Sequence, residues 1–580
     1  MGGAGGKRKL DDPAEEASPA RASVPRREKE ERFGTTGAVL LVCLMTLPFL
    51  VFFFGGQESA ATVWQSASAK LTAMSAGCAN ASHASTTGET TNADELFGGL
   101  LAPGMDRRAC LSRYQSRRYY RHSPYAPSSH LLRKLRAYEA RHKKCGPGTP
   151  LYAKSVEQLR SGRRSTEATE CSYVVWLPYN GLGNRMLSLL STFLYALLTG
   201  RVLLVHAPDD FAGLFCEPFP GATWVLPPDF PVANLSQLGW TTDQSYTNLL
   251  RQNKIVNDPE KAAARSAPPP PPYVHLNLGH DFRFTDTLFY CDDDQLVLSK
   301  VNWLLLLSDL YFVPPLYSIP AFQEELQRLF PAKESVSHLL ARYLFHPTNS
   351  VWGLVTRYYD TYLAHAEERI GMQIRAFSWA SIAVDDLYKQ ILACSRQEHI
   401  LPDIDGDDEA APERNTTSGG GGGGGGADAG SSKAILIASL HADYYERIRT
   451  AYYEHAAKGG ATVSVFQPSH EGRQATGRRT HNQKALAEIY LLSFSDVLLT
   501  SGRSTFGYVS SSLAGLRPAI LHTAYNHKVP ETPCVRAVSM EPCLHAPPRV
   551  RCRAKAVSKL DLERHVKACE DVGGGVKMFD

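Results

Sequence analysis

The chain has little excess charge of either sign. Its 580 residues carry 62 Lys and Arg against 58 Asp and Glu, a formal net charge of +4. Over this length that excess is too small to make a nucleic-acid-binding face, so no nucleic-acid partner is expected. CxxC spacing is missing among the twelve cysteines. That argues against a zinc site of this type and for disulfides. A GxGxxG dinucleotide loop is lacking too; NGLGNR at Asn180–Arg185 has the glycines but not the spacing or the acidic partner. Long apolar runs are scarce. The exception is GAVLLVCLMTLPFLVFFF, Gly37–Phe54, with no charge in 18 residues.

As a helix that run is about 27 Å long, enough for a thin bilayer. A cleaved signal peptide fits less well, because a long polar segment precedes the run and no small-residue cleavage site follows it. A buried core helix fits less well because polar sequence follows. Lys7, Arg8, Lys9, Arg21, Arg26, Arg27, Lys29 and Arg32 precede the run, whereas Gln57 to Gly104 carries almost no Lys or Arg. The positive-inside rule then predicts a cytosolic N-terminus and a luminal remainder, a single-pass type II topology. Eleven cysteines follow the run, and Cys534, Cys543, Cys552 and Cys569 crowd the C-terminal end. They are expected to staple it, in a pairing the sequence leaves open, and the odd number leaves one free or intermolecular. Asn80, Asn234 and Asn415 sit in N-x-S/T sequons, expected glycosylation sites of a luminal chain.

The length calls for more than one ordinary core. The expected organisation is a cytosolic tail over 1–36, the anchor over 37–54 and a luminal stem over 55–110. An α/β domain follows over 111–369, then a second α/β domain over 370–525 and a Cys-rich segment over 526–580. The second domain carries a disordered insertion, 402–432, around the glycine run Gly419–Gly426. Tyr173–Leu177, Met186–Leu198 and Val202–Val205 read as strand, helix and strand, with Gly200 ending the helix. From Ile370 onward strands alternate with helices, as a parallel doubly wound sheet requires. The predicted fold class is α/β, two Rossmann-like domains with a cleft between them.

Two segments carry the chemistry. SGRSTFG, Ser501–Gly507, follows a strand and opens a helix, with Ser504 and Thr505 where N-caps belong. A helix start offers free N–H groups and partial positive charge, which suits a diphosphate. The competing reading is an ordinary capped helix. Arg375 ends the strand of IGMQIR, at the carboxyl end where open sheets bind ligands. It would grip a leaving diphosphate there; otherwise it is a surface ion pair. His481 and Glu488 flank or lie on the helix before Asp496.

Together NGLGNRMLSLLSTFLYALLTGRVLLV, HLNLGHDFRFTDTLFYCDDDQ, VNWLLLLSDLYFVPPLYSIPAFQEEL, ERIGMQIRAF, HNQKALAEIYLLSFSDVLLTS and STFGYV resemble the plant xyloglucan-type galactoside 2-alpha-L-fucosyltransferases. They keep that family's order and cover most of Tyr173–Leu521. The resemblance implies a Golgi type II membrane protein with a GT-B-like fold. It implies an inverting transfer of L-fucose from GDP-fucose to a galactose hydroxyl, α(1,2), of a wall polysaccharide or glycoprotein such as xyloglucan or arabinogalactan. No cofactor or metal is implied, and the chain has no clear DxD-type site; Asp292–Asp294 lies in the N-terminal block. Carried over, Arg375, His481, Asn482, Glu488, Ser504, Thr505, Phe506 and Gly507 would line the donor site. Asn184, Arg185, His280 and Asp309 would lie on the acceptor side. An inverting transfer needs a base or a solvent route for the acceptor proton, and Asp309 is the candidate carboxylate. The alternative is a loose, oxocarbenium-like transition state in which Arg375 and the Ser504/Thr505 helix start do most of the work. The Golgi membrane, a homodimer or a wall-synthesis complex would be the partners. Where the family usually has tryptophan before STFG, this chain has Arg503, and Asn302 stands where proline is usual. An inactive sugar-binding scaffold in such a complex is the alternative that Arg503 motivates.

Overall fold

Strand β1, Tyr173–Leu177, is apolar and buried at every residue. Such a strand needs cover on both faces, the condition met in a parallel sheet flanked by helices. It lies at the centre of a four-stranded sheet of order β2–β1–β4–β3, with β2 Val202–Val205, β3 Tyr273–Asn277 and β4 Trp303–Leu307. All three pairings are parallel. A second sheet has the order β10–β9–β8–β5–β6–β7. Its strands are β5 Glu368–Ile374, β6 Ser432–Ser439, β7 Thr462–Phe466, β8 Val497–Ser501, β9 Ala519–Leu521 and β10 Cys534–Arg536. Only β10 is antiparallel to its neighbour. A short hairpin, β11 Val566–Ala568 with β12 Val576–Met578, ends the chain. The computed structural model describes residues 94–162, 170–258, 268–279, 286–404, 431–550, 552–553 and 562–580. The expected tail, anchor and most of the stem, the sequons Asn80 and Asn415, His280 and the glycine run lie outside them. Among the described residues no helix is long and apolar enough to cross a membrane.

The crossover helices are α1 Leu182–Thr199, α2 Val384–Glu398, α3 Asp443–Glu454, α4 Arg479–Ser493 and α5 Thr505–Ala514. The α1 helix starts four residues before the apolar run from Met186, because Gly181 acts as its N-cap and draws the glycine loop into the first turn. It ends at Gly200, which takes the left-handed conformation (φ 66°) of a helix C-cap. One continuous buried cluster joins the sheets. It runs from Val174 and Trp176 of β1 through α1 to Leu486 and Ile489 of α4, Tyr508 and Leu513 of α5, and Leu436 and Leu498 of the second sheet. The expected division near residue 370 is therefore bridged by core. Each such Leu or Ile contributes about 1.5–3 kcal/mol by leaving water, so α1, α4 and α5 are held rigidly against one another where their starts meet.

The cysteine staples reach further than expected. Cys543 pairs with Cys569 inside the C-terminal segment, but Cys534 pairs with Cys394 and Cys552 with Cys291. Cys110–Cys216 and Cys145–Cys171 complete the described set. A second anchor is Glu541, which accepts hydrogen bonds from the Tyr311 hydroxyl and the Ser337 amide. Burial pushes its carboxyl up to about 7. The chain from Cys534 onward is thus tied to α2, to Cys291, to Tyr311 and Ser337, and to itself. Asn234 is exposed at the head of a short turn, as a glycosylation site requires.

Candidate active site

The carboxyl ends of the parallel strands point toward one cavity of about 610 Å³. The first sheet supplies Asn180–Asn184 after β1 and Asp309–Leu310 after β4. The second supplies Arg375, Phe377 and Trp379 after β5, Ala438–Leu440 at the end of β6, Ser469, Glu471 and Gln474 after β7, and Arg503–Phe506 after β8. Helix α4 adds His481, Asn482, Lys484 and Glu488, and the C-terminal segment adds His545, Ala546, Val572 and Gly573.

The site is built where two helix starts touch. A Cβ on Gly183, in the first turn of α1, would stand 2.7 Å from Thr505 Oγ1 and 2.9 Å from the Phe506 amide nitrogen, so only glycine permits this approach. Asn184 spans the junction. Its Oδ1 accepts from Thr505 Oγ1 at 3.0 Å, and its Nδ2 donates to the Asp309 carbonyl at 3.0 Å. Asn180, in the left-handed region at φ 61°, donates Nδ2 to Asp309 Oδ2 at 2.7 Å. Asp309 is thus held at its carboxylate by Asn180 and at its backbone carbonyl by Asn184. Ser504 is the N-cap of α5 by backbone position, yet its side chain makes no capping bond. The expectation of a side-chain cap fails here, and the first-turn N–H groups of α5 keep the unpaired character of a helix start.

Arg375 enters from the end of β5. Its amide donates to Ser501 Oγ at 2.8 Å, locking it to β8, and its Nη2 donates to Gln474 Oε1 at 3.0 Å. It is half-buried, and burial lowers its pKa; among the described residues no carboxylate pairs with it. Such a cation is costly unless an anion is to be met there. Lys484 and His481, by contrast, both hold Glu471, whose carboxyl they keep down at about 2. At the buried end Glu488 accepts from Ser469 Oγ, and burial pushes its carboxyl up to about 8.

Arg375, His481, Asn482, Glu488, Ser504, Thr505 and Phe506 therefore share one cavity with Asn184 and Asp309. Three expected residues stand apart. Gly507 lies behind the cavity wall; a Cβ there would stand 2.9 Å from Thr500 Cβ, so it serves close packing of α5 on β8. Arg185 points away and forms a part-buried ion pair with Asp210. His280 lies outside the described residues. Asn482 lines the wall, but its amide is committed to the Asp210 and Thr476 carbonyls. Sequence reasoning missed Asn180, Gln474, Lys484, Trp379, His545 and Val572–Gly573. Asn180 was legible from the loop motif, whereas the last three come from a segment whose path only the disulfides reveal.

The family model described as xyloglucan fucosyltransferase matches residues 69–553. A galactoside 2-alpha-L-fucosyltransferase of Pisum sativum is 48% identical over 489 residues, 84% of this chain and 82% of that protein. One from Arabidopsis thaliana is 46% identical over 489 residues, 84% of this chain and 83% of its own length. A solved structure of an arginine-to-lysine mutant of Arabidopsis thaliana FUT1 in complex with GDP superposes with a TM-score of 0.73 at 44% identity. It covers 84% of this chain and all of that one. Two parallel sheets with their strand ends on one cavity, and a match over most of the sequence, place this chain in the xyloglucan fucosyltransferase family, and it is a fucosyltransferase.

Proposed function

We propose that the chain transfers L-fucose from GDP-fucose to a galactose hydroxyl, α(1,2) and with inversion, on a wall glycan such as xyloglucan or arabinogalactan. The observation that carries this is Arg375, a half-buried cation with no carboxylate partner among the described residues, in one cavity with the open start of α5. A diphosphate is the anion that fits both. The GDP in the Arabidopsis FUT1 structure supports a guanine nucleotide as the donor, and the names of the curated relatives support galactose as the acceptor.

With the diphosphate between Arg375 and the Ser504–Thr505 turn, the base extends toward Ala438–Leu440, Ser469 and Glu488. A carboxylate at that end accepts the N1–H and N2–H of guanine. The sugar then faces the α1 side, where Asn180 and Asn184 hold Asp309. The Asp309 carboxylate takes the proton of the acceptor hydroxyl as its oxygen attacks the anomeric carbon opposite the departing GDP. Arg375 and the helix start stabilise the charge gathering on the β-phosphate, each by about 2–4 kcal/mol. This reading assigns the stabilisation of the leaving GDP to Arg375 and the helix start, with no metal among its parts. The two sheets read as the halves of a GT-B-like fold, and the protein as a single-pass type II enzyme of the Golgi membrane.

Purified protein, GDP-fucose and galactose-terminated xyloglucan and arabinogalactan oligosaccharides, with chelator present, test the reading. An α(1,2)-fucosylated product, identified by NMR, is expected. GDP binding without transfer to any galactosyl acceptor would sink it in favour of the scaffold.

A further inference from the structure

Beside the main cavity lies an open groove of about 400 Å³ lined by Trp379, Arg503, Thr523, Tyr525, Glu531 and Asp571, among others. Trp379 and Arg503 line both spaces and stand between them. Arg503 holds the left-handed conformation (φ 61°), its amide donating to Asp571 Oδ2 at 2.7 Å. That turn throws its side chain over the Trp379 ring, 5.4 Å from guanidinium carbon to ring centroid. Trp379 in turn lies 5.2 Å from Phe377, and Arg375 sits 5.5 Å over Phe377. A continuous row, cation–ring–ring–cation, thus leads from the diphosphate-binding arginine to the groove.

Little inside the protein uses the groove end of that row. Trp379 is 58% exposed and Tyr525 is 77% exposed, an uncommon outlay of aromatic surface in two neighbouring residues. Among the described residues no carboxylate pairs with the Arg503 guanidinium. Of the two acidic residues that line the groove, Asp571 already accepts from the Arg503 amide and the Tyr508 hydroxyl, and Glu531 is exposed. Two polar atoms of groove residues, Thr523 Oγ1 and Asp571 Oδ1, are buried without a hydrogen-bond partner. An exposed ring takes the C–H face of a sugar, and a guanidinium fork takes a carboxylate in two hydrogen bonds.

We propose that Arg503 and Trp379 form an acceptor subsite for a sugar unit bearing a carboxylate, a uronic acid near the galactose that receives fucose. This rests on the transfer reading above for the placement of the galactose. The charge at Arg503 then selects among galactose-terminated glycans, favouring anionic ones over neutral ones of the same shape.

The test uses GDP-loaded protein and two galactose-terminated oligosaccharides that differ at one unit, glucose in one and glucuronic acid in the other. Calorimetry at low salt is expected to give the acidic one an affinity about five- to tenfold higher, shrinking as salt rises. Arg503→Asn, a residue at ease in the left-handed conformation, removes the difference, and Arg503→Lys keeps part of it. Trp379→Ala weakens both ligands alike. Equal affinities, no binding of either ligand, or a preference that survives in Arg503→Asn overturns the proposal. So does a loss of GDP affinity in that variant, which would assign Arg503 to the donor. Thermal unfolding of each variant guards against misfolding, and unaltered midpoints are expected for an exposed side chain. Fucosyl transfer is read in parallel; acid-selective binding without transfer defeats the transfer reading and leaves the subsite standing.

Discussion

The starts of α1 and α5 are made of similar parts and do different things. Each follows a parallel strand, each has an N-cap without a side-chain capping bond, and each carries glycine in its first turn. At α1 the surroundings consume what the start offers. Asn180 and Asn184 turn inward to Asp309, and Arg185 is spent on Asp210. At α5 the first turn keeps Arg375 and Arg503 beside it in the cavity with no carboxylate for either guanidinium among the described residues. On the transfer reading proposed above, the start whose surroundings leave it free is the one that takes the diphosphate.

Four substitutions break or sharpen that contrast. The largest effect is expected at Arg375→Ala, a loss of kcat of about 1,000-fold or more with weakened GDP binding, measured by fucosyl transfer and calorimetry. Asp309→Asn acts on the α1 side alone. It is expected to lower kcat about 100-fold or more while GDP affinity holds, and near-normal turnover would remove Asp309 as the base. Gly183→Ala attacks the junction itself. The added methyl must push the two helix starts apart, costing about 1–3 kcal/mol in chemical denaturation and loosening both sites together. Unchanged stability would mean that the close approach is not required.

The mildest is Glu488→Gln, read through pH. Its folded-state carboxyl sits near 8, above the ordinary 4.5. The folded state therefore holds a proton that the unfolded chain has lost, and stability falls as pH rises from about 4.5 to about 8. Glu488→Gln should flatten that fall. If the ionised carboxylate reads guanine, GDP binding near pH 7 releases a proton in the wild type and none in the variant. Calorimetry in buffers of different ionisation enthalpy distinguishes the two.

Much of this was legible beforehand because periodicity and the strand-end rule are local. The strands at Tyr173–Leu177 and Thr462–Phe466 carry the expected bounds, and Arg375 and the Ser504–Phe506 turn fall in one cavity. Tyr273–Asn277 and Trp303–Leu307 went unassigned as strands because short apolar runs look alike until they pair. The role of Arg185 was unreadable because its partner, Asp210, lies in a loop without pattern. The contribution of His545 and Val572–Gly573 depends on cross-links whose pairing no spacing encodes.

Those cross-links set an order of assembly. Residues 543–573 come later in the chain than every strand of the two sheets, yet they furnish part of the cavity wall and the carboxylate that holds Arg503. The Cys291–Cys552 bond closes over 261 residues. A growing chain therefore has its sheets, its Arg375 and its α5 start before it has a finished pocket. Reductant is therefore expected to silence the enzyme at concentrations that leave its helices and sheets in place, measured by fucosyl transfer beside far-UV circular dichroism.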